Sequence, residues 1–186
     1  MIQKSILLSS IILLLVFQGC SSEEKKTQDI NSMVSKNEYT LTSIDSKKYL
    51  VTQEKDGFVL DQAKDKIVIF DIFATWCPPC RASASHLSSL QKKYKNDLII
   101  IGITIEDNIK NDKLLDFAKT YNAKYTLVNS DQNRRLADAI VSKLGLGDRY
   151  PIPTMAIYKD GKLVNHFVGM AQEEFIESDI KRALGK

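Results

Sequence analysis

Two long apolar runs and the amphipathic stretch between them organise the middle of the chain. "KIVIFDIFA" (66–74) is almost continuously apolar and β-branched, as expected of a strand covered on both faces. "DLIIIGITIE" (97–106) repeats the pattern and predicts a second central strand. Between them, "RASASHLSSLQKKY" (81–94) spaces Leu87, Leu90 and Tyr94 for one buried helical stripe, and the helix starts within "CPPC" (77–80). Upstream, "EYTLTSI" and "KYLVTQEKDGFVL" predict short strands, the latter turning at Asp56-Gly57. Downstream, "NDKLLDFAKTYN" predicts a helix, "KYTLVN" a short strand, and "NRRLADAIVSKLG" a helix ending at Gly145. "TMAIYKDGKLVNHFVG" predicts two strands around Asp160-Gly161, and "AQEEFIESDIKRAL" a closing helix. The order β-β-β-α-β-α-β-α-β-β-α implies an α/β fold with a mixed central sheet flanked by helices.

The N-terminus follows a different pattern. Lys4 precedes the apolar run "ILLSSIILLLVF" (6–17), then "QGC" and a polar segment. A short basic region, a short apolar core and small residues describe an export signal, and the core is too short and serine-broken to span a bilayer comfortably. Cys20 after Gly19 resembles the lipidation site of a bacterial lipoprotein signal, although Phe17 and Gln18 depart from its usual residues. A plain signal peptide and an uncleaved anchor are the alternatives. The expected organisation is a signal peptide at 1–19, a flexible tether at 20–38 carrying a lipid on Cys20, and one domain at 39–186. That places the protein in the cell envelope, facing the periplasm and held to a membrane.

Composition narrows the partners. The 186 residues carry a formal charge of only +3, with no arginine-rich run, so nucleic acid is not an expected partner. A hydrophobic content of 44% suits a folded domain, expected as a monomer.

The chemistry lies in "FATWCPPCRAS" (73–83), which holds two of the three cysteines and the only tryptophan. A zinc site would need two more Cys or His ligands. Only His86 and His166 are available, far apart and singly placed, so both are expected as surface or packing residues and no metal is expected. A structural disulfide closing so short a loop would stabilise little. A redox pair remains, and no cofactor beyond its disulfide is implied. At the start of a helix, Cys77 would face unpaired backbone N–H groups and the positive end of the helix dipole, which favour the nucleophilic thiolate. Cys80, one turn on, would resolve the mixed disulfide. Pro78 and Pro79 suit a first turn, where missing N–H groups cost little. Trp76 is expected beside the pair on a docking surface, or in ordinary packing.

"FDIFATWCPPC", the later "IPT" (152–154) and "KDGKLVNHFVG" (159–169) together resemble thioredoxin. The export signal and an extra central β-α unit narrow the resemblance to the membrane-tethered TlpA-type thiol-disulfide oxidoreductases. It implies a thioredoxin fold with an N-terminal β extension. Asp71, six residues before Cys77, matches the family's buried acid; a carboxyl amid "IVIFDIFA" should hold its proton tightly and could relay one to or from Cys80, unless it turns to solvent. Pro153 matches the family's cis-proline, which would bare the backbone of Ile152 for a substrate strand, with Thr154 alongside. Gly169 matches a glycine where substrate passes, or is simply a turn glycine. One position departs: Ser83 stands where many TlpA-type reductases carry a Glu, which weakens any link to cytochrome c maturation and leaves the proton chemistry to Asp71.

Pro78-Pro79 adds no charge between the cysteines, so the expectation is a reductase of disulfides in exported clients; the resemblance implies that a membrane electron-transfer protein recharges it. An oxidase or isomerase using the same residues, and a client-binding protein without turnover, are the alternatives. A peroxidase fits less well, because Trp76 precedes the cysteine and no peroxide-binding arginine is placed.

Overall fold

The structure, a computed structural model, describes residues 37–147 and 150–186. The expected leader at 1–19 and nearly all of the tether at 20–38, Cys20 included, lie outside the described residues. The chain forms β1 (Glu38–Thr42), β2 (Lys48–Gln53), β3 (Phe58–Leu60), β4 (Ile67–Phe73), α1 (Pro78–Lys93), β5 (Leu98–Thr104) and α2 (Asn111–Thr120). It continues through β6 (Thr126–Val128), α3 (Asn133–Lys143), β7 (Thr154–Lys159), β8 (Lys162–Val168) and α4 (Glu173–Ala183). The order follows the one predicted from the apolar periodicity with one strand more before α1, because the segment 48–60 turns at Asp56-Gly57 and supplies two strands, β2 and β3.

The strands divide into two sheets. Five form the central sheet in the order β6-β5-β4-β7-β8, with β4 parallel to β5 and antiparallel to β7. The fold is thioredoxin-like, a mixed sheet with helices on its faces. β1, β2 and β3 make a separate antiparallel sheet, the form taken by the N-terminal β extension. It meets the central sheet at the short strand β6, through a bridge between Ser43 and Val128 and a hydrogen bond from Ile44 N–H to Leu127 C=O.

All seven residues of β4 are buried, and their alternation sorts them into two cores. Ile67, Ile69 and Phe73 pack with side chains of α1, α2 and α4. Val68, Phe70 and Ile72 pack with α3 and with Tyr39, Val51, Phe58 and Leu60 of the small sheet. One face of the central sheet is therefore covered by helices alone, the other by α3 together with three strands. Asp71 belongs by parity to the helix-covered face, in the row of Ile67, Ile69 and Phe73.

Two tight turns tie the small sheet to the β7–β8 hairpin. Gly57 packs so closely that a Cβ there would run into the Gly161 carbonyl oxygen and lie 2.8 Å from Tyr158 Cε1. At the β7–β8 turn both Asp160 and Gly161 have positive φ, the left-handed pair that a two-residue hairpin requires.

Candidate active site

The site is built where β4 ends and α1 begins, at the carboxyl edge of the central sheet. Cys77 is the N-cap of α1 in extended geometry, and its Sγ accepts the Cys80 N–H at 3.2 Å. Pro78 and Pro79 occupy the first two helical positions, where an N–H would have no intrahelical partner. Cys77 and Cys80 are joined as a disulfide with their Cα atoms 5.3 Å apart. Both are nearly covered, at 2% and 3% exposure, while Trp76 beside them is 60% exposed. The preceding residues thus present a flat aromatic ring to solvent next to a recessed sulfur.

Ile152 and Pro153 face this corner from the segment before β7. Their peptide bond is cis, and Cys77 Sγ lies 3.6 Å from the Ile152 carbonyl oxygen. Gly169 closes the same corner: its N–H donates to the Pro153 carbonyl at 2.8 Å. Its φ is +80° and open space surrounds the position of a Cβ, so backbone conformation and not crowding favours glycine there. Thr154 is fully buried, with Oγ1 donating to Pro151 C=O at 2.6 Å. It braces the loop from beneath and shows no side chain to solvent.

Asp71 lies inside, 3% exposed, and burial pushes its carboxyl up from 3.8 to about 7. Tyr125 OH donates to its Oδ2 at 3.2 Å and partly opposes that rise. The solvent-facing alternative for Asp71 is set aside. Ser83, at the position where the resembled family places a Glu, is buried and its Oγ donates to Pro79 C=O at 3.0 Å. It supplies no acid.

Two features have no counterpart in the sequence reading. Thr75, two residues before Cys77, is held at every polar atom. Its N–H donates to Glu106 Oε2 at 2.6 Å, its Oγ1 to Glu106 Oε1 at 2.9 Å, and its C=O accepts Arg81 Nε at 2.7 Å. Arg81 also lies over the Tyr121 ring, 5.3 Å from its centroid. The second is Tyr125 itself. The available signal for Glu106 was its place just after a central strand beside the motif strand, at the same edge of the sheet. For Tyr125 the signal was Gly102, a glycine in an otherwise apolar strand, which marks a close approach.

The two histidines lie on different elements, His86 on α1 and His166 on β8, and both are partly buried. Among the described residues there is no cluster of three or more His, Cys, Asp or Glu able to hold a metal ion. Nor is any helix among them long and apolar enough to cross a membrane.

The chain is similar to several known proteins. ResA, a thiol-disulfide oxidoreductase of Bacillus thuringiensis (strain Al Hakam), is 26% identical over 178 residues, covering 95% of this chain and 91% of that protein. Thioredoxin-1 of Drosophila melanogaster is 34% identical over 80 residues, 42% of this chain and 69% of its own. A thiol:disulfide interchange protein of Chlorobium tepidum superposes with a TM-score of 0.60 at 22% identity, over 80% of this chain and 94% of that one. StoA of Bacillus subtilis superposes with a TM-score of 0.55 at 14% identity, over 78% and 97%. The Redoxin family matches residues 25–184. With nearly the whole described chain inside that match and a Cys77–Cys80 disulfide at the helix cap, the protein belongs to the redoxin family, as a thiol-disulfide oxidoreductase of thioredoxin-like fold.

Proposed function

We propose that the protein is a disulfide reductase acting outside the cytoplasm on exported proteins, with a lipid on Cys20 as its membrane anchor. The observation that carries this reading is the Cys77–Cys80 disulfide at the cap of α1, set against the Ile152 carbonyl. In the reduced protein the helix terminus favours the Cys77 thiolate. That thiolate attacks one sulfur of a client disulfide; a Cys77–client bond forms and the other client sulfur leaves as a thiolate. Cys80 then gives its proton to Asp71 and attacks Cys77 Sγ. The client's second sulfur leaves, the Cys77–Cys80 bond closes, and two electrons have passed to the client. The ring of Trp76, the backbone at Ile152 and Pro153 and the open corner at Gly169 form the surface along which an extended client segment lies.

The reducing direction is supported by Pro78 and Pro79, which place no charge between the cysteines to stabilise the dithiol further. Each turnover leaves the pair oxidised, so a dithiol donor in the membrane must recharge it. Ser83 in place of an acid weakens the link to cytochrome c maturation, which stays one candidate among the roles of such a reductase.

The test is thiol trapping in intact cells with Cys80→Ala, which cannot resolve mixed disulfides. Covalent adducts of exported proteins through Cys77, together with a largely reduced pair in the parent protein, are expected. A potential near about −120 mV, that of a strong oxidant, would overturn the reductase reading. Labelling with a radioactive fatty acid, lost on Cys20→Ser, tests the anchor.

A further inference from the structure

Asp71 is an anomaly of β4: one carboxyl in a row whose other members, Ile67, Ile69 and Phe73, are packed among helices. In the β4–β5 register it stands opposite Gly102. A Cβ on Gly102 would sit 2.7 Å from Leu127 Cδ2, 3.0 Å from Tyr125 Cε2 and 3.3 Å from Phe73 Cε1. The ring of Tyr125, which leads into β6, thus shares with Leu127 the space that a side chain on β5 would fill. From there its hydroxyl reaches across to Asp71 Oδ2 at 3.2 Å. Asp71 Oδ1 is buried and has no hydrogen-bond partner among the described residues.

We infer that Tyr125, seated over Gly102, is the positioning residue of the Asp71 carboxyl: it fixes Oδ2 and leaves Oδ1 as the oxygen that exchanges a proton. The inference rests on the reading of Asp71 as the proton acceptor of the resolving step. The chemistry follows from the donor set. A phenol at this depth is pushed well above its ordinary 10, so Tyr125 only donates and does not compete for the proton. A donated hydrogen bond favours the ionised carboxylate, against the burial that disfavours it. Asp71 is thereby brought to a range in which it can both take and return a proton at neutral pH, where burial alone would keep it protonated.

Of the other ionisable groups on the helices of this face, His86 of α1 has a buried Nδ1 without a partner among the described residues, while the buried acids and phenols are committed elsewhere. Tyr94, at the end of α1, donates to Glu177 at 2.7 Å, and Glu177 is itself paired with Lys93 and Lys181. Asp179 of α4 accepts from Asn165 Nδ2 at 2.6 Å and is paired with Arg182. From β5 and β7 the residues opposite Asp71 are Gly102 and Met155, neither of which titrates. The cysteines of α1 belong to the same cluster as Tyr125 and are the partners in the reaction.

The test uses the full chain with carbon-13 in the aspartate carboxyl, read by NMR across pH in the disulfide form. It is paired with the single-turnover rate at which a preformed Cys77 mixed disulfide is resolved. Tyr125→Phe keeps the ring and removes the donor. It should raise the Asp71 midpoint by about one pH unit, since the donated hydrogen bond favours the ionised carboxylate. The pH profile of resolution should move by the same amount. Gly102→Ala, which crowds Leu127 and the ring together, should move both in the same direction. An unmoved Asp71 midpoint in Tyr125→Phe overturns the inference, as does a rate loss that is equal at every pH. If the midpoint moves while Asp71→Asn leaves the resolution profile unchanged, Tyr125 does position Asp71 and the relay role of Asp71 falls instead.

Discussion

Replacing Asp71 with Asn should make the protein more stable, and only above acidic pH. The carboxyl is 3% exposed and sits at about 7 in the fold, against 3.8 in an unfolded chain. Below 3.8 both states carry the proton and the group costs little. As pH rises from there the unfolded chain releases its proton while the folded protein keeps it, so the unfolded state binds fewer protons and folding stability falls. The loss is complete once pH passes about 7. A displacement of about three pH units, at ~1.4 kcal/mol each, corresponds to about 4 kcal/mol. That is a large fraction of the ~5–15 kcal/mol by which domains are stable. Asn keeps the shape, cannot ionise, and still offers an oxygen to Tyr125. Urea unfolding of both proteins, held as the disulfide, at pH 4.0, 5.5 and 8.0 should show the Asn variant gaining progressively, by up to about 4 kcal/mol, with unchanged m-values. A stability difference that is the same at all three pH values would refute the reasoning. Resolution of mixed disulfides should slow in the same variant, so stability and turnover move in opposite directions.

Substitutions at three further positions probe the framework of the fold and site. Glu106→Ala removes the acceptor of the Thr75 N–H and hydroxyl and should cost ~1–3 kcal/mol, with faster amide exchange at Thr75 and Trp76 than in remote strands. Glu106→Gln, which retains one acceptor oxygen, should recover part of that loss. Gly169→Ala meets no neighbour but inherits a φ of +80°, so it should cost ~1–2 kcal/mol, seen as a lower urea midpoint. Gly57→Ala drives a methyl group into the Gly161 carbonyl and the Tyr158 ring; thermal unfolding should show a loss of ~1–3 kcal/mol although the site is at the other end of the sheet.

The strands and helices were legible because each writes its burial into a short stretch of sequence. β4 shows a continuous apolar run because both its faces are covered, and α1 shows its stripe because only one face is. The cysteine pair and its helix cap were legible for the same reason, being local to six residues. What sequence did not reveal joins distant positions. Tyr125 and Asp71 are 54 residues apart, and Thr75 and Glu106 are 31 apart. Their meeting depends on the register between β4 and β5 and on one missing Cβ, neither of which has a period. The two-sheet arrangement was hidden likewise: alternation shows that β1–β3 are strands, but not which edge they join. The burial of Thr154, whose hydroxyl donates to the Pro151 carbonyl, was likewise not legible in "IPT".

The threefold grip on Thr75 bears on how the protein cycles. None of its three bonds involves a sulfur: two run to a carboxylate beyond β5 and one to a guanidinium of α1. The segment that carries Trp76 and Cys77 is therefore anchored independently of the bond between the cysteines, and opening that bond removes none of these ties. The ring of Trp76 is thus held at the surface by ties that do not depend on the oxidation state of the pair.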